Sequence, residues 1–552
     1  MDKIEIIPLG GIGEFGMNCM GIRYGDEMIV VDAGMGFPEE TPYGVDISVP
    51  DFDFLDEYKD DLIALFLTHG HEDHIGSTPY FLKKFNLPIY GSQLTLAFIE
   101  EKFREHEMLG DVLMHRVKAN DVVEVGSFKV EFIHASHSLV DCFSLAITTP
   151  VGTVVHTGDY KMDETPVIGK AYDLETLGRI GDDGVLALLG DSTNATVPGR
   201  TPSEQDVIPA LEEIFDEAEG RIIVTTFSSS FHRLQIVYDV AYNAGKKVCV
   251  LGRSMMKNVE LGERLNLLSL PPETDVGLDE ARKLPDDEIV FLVTGSQGEQ
   301  RAVMWNLATQ SFKGLTVEKG DTVVLSARII PGNEKRISKM IGAIYRKGGN
   351  IIEEKRRLIH VSGHAAQEDI RIMVETARPK FVIPIHGEYR MLFRHKEFVK
   401  NHIGYDDKNV ILIENGDVLE LTEETARVVE RREIGKTFID GLGMNEIEFE
   451  TVRERKKLAF GGMVSLFVML DEKTKKLASE PVISIQGVAG IDPLNGTLAN
   501  ARNSISNAID GMSLQELSDK TWLTENLRVH LKRFIQKETG TKPMIVPTIL
   551  EV

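Results

Sequence analysis

Cysteine is scarce in this chain: Cys19, Cys142 and Cys249 are the only ones, they lie far apart, and none forms a Cys-x-x-Cys pair. That count and spacing argue against a disulfide framework and a thiolate zinc site, and they fit a reducing compartment. Long apolar runs are missing as well. The opening MDKIEIIPLGGIG has no basic segment leading into an apolar stretch with a small-residue cleavage site, and no later run has the length needed to cross a bilayer. Neither secretion nor membrane association is expected, and the expected location is cytoplasmic. Positive charge is in deficit, with 61 lysines and arginines against 86 aspartates and glutamates, a formal net charge of -25. Such a balance repels polyanions on average. There is no internal repeat and no low-complexity tract.

What is present is an ordinary globular composition, 42% hydrophobic and 27% charged, over 552 residues. That length exceeds what one hydrophobic core usually supports, so several domains are expected. Up to about residue 200, short apolar runs alternate with glycine-marked turns: MIVV, LIALFL, FKVEFI, GTVVHT and VLALL. Runs this short and this apolar read as buried strands. From about residue 205 the texture is that of βαβ units, with RIIVTTF, KKVCVLG, IVFLVTG and DTVVLS separated by helical segments. RLIHV and KFVIPI then read as strands of the first kind, so the second unit is expected as an insertion into the first. A charged stretch from Glu446 to Lys457 precedes a tail that ends in PMIVPTILEV. Basic residues cluster between Arg328 and Arg357, which reads either as a local cationic track or as a solvated helix face.

The most informative string is Thr68-His69-Gly70-His71-Glu72-Asp73-His74, directly after LIALFL. Imidazoles and carboxylates on a turn leaving a strand can converge on a cation, and without thiolates they suit zinc or manganese. Other such residues follow expected strands: Asp32, His137, Asp159, Asp191, His364 and His386. In α/β proteins functional groups collect at the carboxyl edge of the sheet, so one edge could gather them all. Histidines at 156 and 360 read instead as core residues, and those at 106, 115, 395, 402 and 530 as surface or packing residues.

The His-x-His-x-Asp-His string, the lone His137, Thr-Gly-Asp at 157–159 and the late His-Gly-Glu at 386–388 resemble the metallo-β-lactamase superfamily. Its β-CASP group is similar in carrying a large insertion before the last ligand. More narrowly, GGIGEFGMN (10–18), VDAGMGFP (31–38), GVDISVPDF (44–52), GDSTNA (190–195), TGSQGE (294–299), IPGNE (330–334), HVSGHA (360–365) and PIHGEYR (384–390) resemble ribonuclease J across nearly the whole chain. The resemblance implies an α/β fold: a metallo-β-lactamase αββα sandwich at 1–205 and 355–435, an inserted β-CASP α/β domain at 206–354, a linker at 436–454 and a small C-terminal α/β domain at 455–552. It implies two divalent metal ions per chain, zinc first, with manganese or magnesium as alternatives. His69, His71 and His137 would hold one ion, and Asp73, His74 and His386 the other, with Asp159 bridging. Asp73 would also act in catalysis by taking or orienting a proton of water, and Asp32 would fix a ligand histidine from behind.

The same resemblance implies a phosphate-contacting pair, Ser362 and His364, with His364 acting on the departing oxygen and Asp191 orienting it. The segment with Ser228, Ser229, Ser230, His232 and Arg233 follows a strand and opens a helix. It reads as a seat for RNA phosphates or simply as serines starting a helix. Relatives often carry asparagine where Ser230 stands. Phe37 is read either as a base-stacking surface or as a buried aromatic. The glycines of GGIGEFG match a dinucleotide fingerprint only superficially. In the tail, ISIQGVAG (483–490) lacks the arginine-glycine-phenylalanine string often found there in the family. The implied activity is hydrolysis of single-stranded RNA, 5′-to-3′ from a 5′-monophosphate end with some internal cleavage, in RNA processing and decay. A homodimer or homotetramer is implied, as are partners from an RNA-degradation complex. The alternatives are a small-molecule metallohydrolase and a non-catalytic RNA-binding subunit.

Overall fold

The computed structural model describes residues 2–37, 44, 45, 47–330, 332–440, 445–490 and 496–552. The chain forms two units: residues 1–39 with 49–436, and residues 40–48 with 437–552.

In the larger unit an eight-stranded sheet runs in the order Ala426–Arg431, Asp417–Leu421, Ile4–Gly10, Cys19–Tyr24, Glu27–Val31, Leu62–Phe66, Ile89–Gly91 and Met114–Arg116. A six-stranded sheet has the order Phe381–Ile385, Val185–Asp191, Gly152–His156, Cys142–Thr149, Phe128–Ala135 and Val122–Val125. The two sheets share one core. Strand side chains alternate in direction, so Ile4, Ile6, Ile29 and Phe66 of the first meet Val130, Phe132, Leu145 and Ile383 of the second. Phe132 sits between Phe66 and Phe143, with ring centroids 6.1 and 5.3 Å away. The opposite face of the second sheet packs on helices such as Leu174–Asp183 and Gln367–Ala377 through Leu177, Ile180, Ile370 and Val374.

Phe381–Ile385 pairs in parallel with Val185–Asp191, Ala187 opposite Phe381, although a long stretch of chain separates them. That stretch folds as an all-parallel five-stranded sheet in the order Lys247–Leu251, Ile289–Val293, Ile222–Thr225, Thr322–Leu325 and Asn350–Ile352. Both faces are covered, in keeping with strands that are apolar apart from their terminal residues.

One expectation fails here. RLIHV is not a strand: Ile359 and Val361 are buried, but the Ile359 carbonyl accepts hydrogen bonds from the side chains of Arg233 and Ser326, at 2.6 Å each. Side-chain donors replace a strand partner, an exchange that a run of apolar residues does not reveal. Within 436–454, Lys436–Asp440 pairs antiparallel with Asn445–Ile447 and the helix Phe449–Gly461 follows; positions 441–444 lie outside the described residues.

In the smaller unit the strands Val482–Gln486, Met463–Leu470 and Met544–Glu551 form a sheet in that order. Val464, Leu466, Val468 and Leu470 pack beneath the helices Thr497–Asp510 and Lys520–Thr539, whose Leu523, Leu527, Leu531 and Ile535 recur at helical spacing.

Candidate metal centre and phosphate cleft

The carboxyl ends of the strands meet at one place. Leu62–Phe66 delivers the His69–His74 turn, Phe128–Ala135 delivers His137, Gly152–His156 delivers Asp159, Val185–Asp191 ends on Asp191, and Phe381–Ile385 delivers His386. Asp32 and His386 both have left-handed backbone, with φ of 61° and 56°. Neither is glycine, so each conformation costs on the order of 1–3 kcal/mol and persists because the surroundings impose it.

Each imidazole is steered from its outer nitrogen. His74 donates from Nδ1 to Asp32 Oδ2 at 2.7 Å. Thr68 Oγ1 donates to the same oxygen at 2.8 Å and lies 3.0 Å from His69 Nδ1, from which it accepts. His137 Nδ1 donates to the Gly363 carbonyl at 2.8 Å, and His386 Nδ1 lies 2.7 Å from Thr193 Oγ1. These bonds leave Nε2 of His69, His74, His137 and His386 directed inward. His71 instead turns Nδ1 inward, 3.0 Å from His69 Nε2 and 3.1 Å from His137 Nε2. Lone pairs so close repel one another unless a cation lies among them.

Asp159 is the hub. Its Oδ2 is 3.6 Å from both His69 Nε2 and His137 Nε2, and its Oδ1 is 3.3 Å from His74 Nε2 and 3.4 Å from His386 Nε2. Asp73 Oδ2 lies 3.5 Å from His386 Nε2. Two buried atoms, Asp159 Oδ1 and His386 Nε2, have no hydrogen-bond partner, a costly condition for polar groups out of water. The inward atoms of His69, His71, His137 and Asp159 fall within 4.8 Å of one another, as do those of Asp73, His74, Asp159 and His386. This donor set fits two divalent cations sharing a carboxylate.

The electrostatics divide the same way. Burial pushes the pKa of His69, His71 and His137 below the usual histidine value, keeping them neutral with free lone pairs. Burial also opposes protonation of His74 and His386, but Asp159 and Asp73 overcome it, holding His74 well above the usual value and lifting His386 to about 9. The second set therefore demands positive charge where the first offers electron pairs.

Beside this centre, His364 Nδ1 lies 2.9 Å from Asp191 Oδ2, and Asp191 Oδ1 accepts from the Thr193 amide at 2.9 Å. Burial opposes protonation of His364, while Asp191 and Asp159 raise its pKa above the usual value. Asp159, Asp191, His364 and His386 also cluster, but both Asp191 oxygens are committed to these bonds. Ser362 Oγ accepts from Asn194 Nδ2 at 2.8 Å, and Asn194 Oδ1 in turn accepts from Arg328 at 3.0 Å.

The Ser228–Ser230 turn precedes the helix Phe231–Asn243, and none of its three hydroxyls has a hydrogen-bond partner among the described residues. Phe37 is exposed. The reading of His232 and Arg233 as substrate contacts is corrected. Arg233 is 1% exposed and His232 3%, with Arg233 donating to Glu204 and the Ile359 carbonyl and His232 accepting from the Ile168 amide. Arg233 can face inward because Glu204, distant in sequence, supplies its counter-charge, and His232 because burial keeps it neutral. In the basic stretch, Arg328, Lys335, Arg336, Lys339, Arg346 and Lys355 are exposed, whereas Arg357 is paired with Glu213 and Glu217 and Lys347 binds the carbonyls of Leu307 and Gln310. The sequence alone does not single out Asn18, Thr68, Thr193 or Asn194 for a role. Small polar residues at turns have many uses, and only their place inside quoted motifs marks them.

Residues 12–193 match the metallo-beta-lactamase superfamily, 219–344 the ribonuclease J beta-CASP domain, 350–411 the RNA specificity domain of Zn-dependent metallo-hydrolases, and 450–552 the ribonuclease J C-terminal domain. Ribonuclease J of Synechocystis sp. is 38% identical, the match covering 98% of this chain and 86% of that protein. Ribonuclease J of Helicobacter pylori strain B128 is 36% identical over 99% of this chain and 79% of its own, and ribonuclease J2 of Bacillus subtilis is 34% identical over 100% and 99%. A protein of unknown function from Enterococcus faecalis V583 has a crystal structure that superposes with a TM-score of 0.52 at 17% identity, over 76% of this chain and 100% of that one, a likeness of fold alone.

Proposed function

Because the chain belongs to the ribonuclease J family and is a metal-dependent hydrolase acting on RNA, we propose that it degrades single-stranded RNA from a 5′-monophosphate end, with internal cleavage as a second mode. The observation that carries this reading is the meeting of His69, His71, Asp73, His74, His137, Asp159 and His386 beside the Ser362–His364 pair. We assign the first ion to His69, His71 and His137, the second to Asp73, His74 and His386, and the shared carboxylate to Asp159. Imidazoles and carboxylates without thiolates favour zinc. When bound, such ions acidify water and offset charge that develops on a phosphate.

The remaining work falls to the chain's own groups. The Asp73 side chain is 33% exposed against 2% for Asp159, so Asp73 is placed to take or orient a proton of water. His364, held at Nδ1 by Asp191 and with its pKa raised by Asp191 and Asp159, has Nε2 left to donate to the departing oxygen. The Ser362 hydroxyl and the unpartnered hydroxyls of Ser228–Ser230, at a helix N-terminus, suit phosphate oxygens. Phe37 offers an exposed ring for a base.

Among the described residues no helix is long and apolar enough to cross a membrane, and we place the activity in the cytoplasm. We assign self-association as a dimer or tetramer to the smaller unit, whose sheet exposes Phe467, Val482, Val546 and Leu550 opposite its helices. Proteins of an RNA-degradation complex are the proposed further partners.

The test is incubation of zinc- or manganese-loaded protein with internally labelled RNA bearing a 5′-monophosphate or a 5′-triphosphate, followed by product sizing. Mononucleotides released faster from the monophosphate RNA are expected. Equal rates on both ends would remove the phosphate pocket, and no cleavage of either would remove the proposal.

A further inference from the structure

The glycine-rich segment Gly10–Asn18 reaches the metal centre at both of its ends. At one end Ile12–Gly13 pairs in parallel with Gly387–Glu388, Ile12 opposite Gly387, and the Gly387 amide donates to the Gly11 carbonyl at 3.3 Å. That contact fixes the residue next to His386. At the other end the Asn18 amide donates to the Asp73 carbonyl at 3.0 Å, and Asn18 Nδ2 donates to the same carbonyl at 3.1 Å. Nδ2 also lies 3.5 Å from Asp73 Oδ2 and 3.1 Å from His74 Nε2.

The loop is built for close approach. A Cβ on Gly11, whose φ is +84°, would come within 2.2 Å of Asn18 Oδ1, and one on Gly34, which lies outside the loop and against it, within 1.7 Å of the Asp73 carbonyl and 2.8 Å of the Asn18 amide. The middle of the loop is tied down from the far side: Asn415 accepts from the Ile12 amide at 3.1 Å and donates to Glu14 at 2.7 Å, and Lys436 pairs with Glu14 at 2.5 Å. Among the described residues none of the loop's hydrogen bonds reaches His69, His71 or His137; these are steered by Thr68, by the Gly363 carbonyl and by one another.

We propose that Gly10–Asn18 is a clamp for only one half of the dinuclear centre, joining the Asp73–His74 turn to His386, with Asn18 the positioning residue for Asp73. This rests on the metal assignment given above. Damage to the clamp would loosen one ion and leave the other in place. Groups that orient metal ligands typically affect affinity by roughly 10–100-fold.

The experiment titrates Co²⁺ into metal-stripped wild type, Asn18→Ala and Asn415→Ala, reading visible absorption and bound metal by mass spectrometry. Near-ultraviolet circular dichroism monitors the fold. Wild type is expected to bind two equivalents. Each variant is expected to bind the first with unchanged affinity and spectrum and the second at least roughly 10-fold more weakly. Asn415 contacts no proposed ligand, so a shift in Asn415→Ala reports the clamp itself. Two unchanged equivalents in both variants, parallel weakening of both ions, or collapse of the fold in both variants would overturn the inference. A wild type that binds fewer than two ions would instead refute the metal assignment, and the clamp with it.

Discussion

Thr193 steers His386 from behind, its hydroxyl 2.7 Å from Nδ1, while its amide holds Asp191 Oδ1. Thr193→Val keeps the amide and the shape but leaves the His386 Nδ1 proton without this hydroxyl. Metal affinity, measured by competition with a chromophoric chelator, should fall roughly 10–100-fold, with Thr193→Ser close to wild type. An unchanged affinity in Thr193→Val would show that the left-handed backbone at His386 orients the ring unaided. A different residue-scale effect comes from buried histidines outside the metal sets. Burial holds His156, His232 and His395 down at about 4. Each is neutral in the fold and takes up a proton on unfolding below its ordinary value near 6.5. Their contribution to stability is therefore full above about pH 6.5 and is lost as pH falls from there toward 4, at up to about 1.4 kcal/mol per pH unit for each group. Urea midpoints at pH 7.5, 6 and 5 should drop in that order, and His395→Asn should flatten the trend.

At the scale of elements, the inserted domain is joined to the sandwich by buried charge. Arg233, near the start of its helix, meets Glu204 at 2.8 Å; Lys161, two residues beyond Asp159, lies 3.6 Å from Glu204 and 3.4 Å from Asp163. Burial works against the Glu204 carboxylate, but Arg233 and Lys161 hold its pKa down at about 2. Arg233→Ala strands much of that charge and should cost about 3–5 kcal/mol in urea unfolding, with Glu204→Ala in the same chain adding little. Additive losses would show that the two residues act separately. This junction also marks where the sequence ceases to be legible. Short apolar strands can be read because burial on two faces leaves no polar alternation, and the histidines and aspartates stand out because cation chemistry admits so few residue types. Arg233 cannot be placed, since nothing local to a serine-rich helix start announces Glu204. The run Arg357–Val361 has a strand's composition, but the donors that satisfy the Ile359 carbonyl are side chains from other elements.

For the molecule as a whole, a net charge of -25 has to be reconciled with a polyanionic substrate. Arg328, Lys335, Arg336, Lys339, Arg346 and Lys355 are exposed and lie within ion-pair distance of no carboxylate among the described residues, so attraction can be local while the average is repulsive. Replacing Lys335, Arg336 and Lys339 together by alanine should weaken RNA binding at every sequence. The slope of log affinity against log salt should become shallower by up to about 2, at roughly 0.7 for each phosphate no longer neutralised. An unchanged slope would place the RNA elsewhere.

The pairing of Phe381–Ile385 beside Val185–Asp191 across the inserted domain also bears on synthesis. A growing polypeptide exposes His69, His71, His137 and Asp159 early, but His386 follows only after the whole insertion has been translated. Under the assignment proposed above, the half-made enzyme lacks a complete centre and is harmless to the message still threading the ribosome, and a chain released prematurely is born inert.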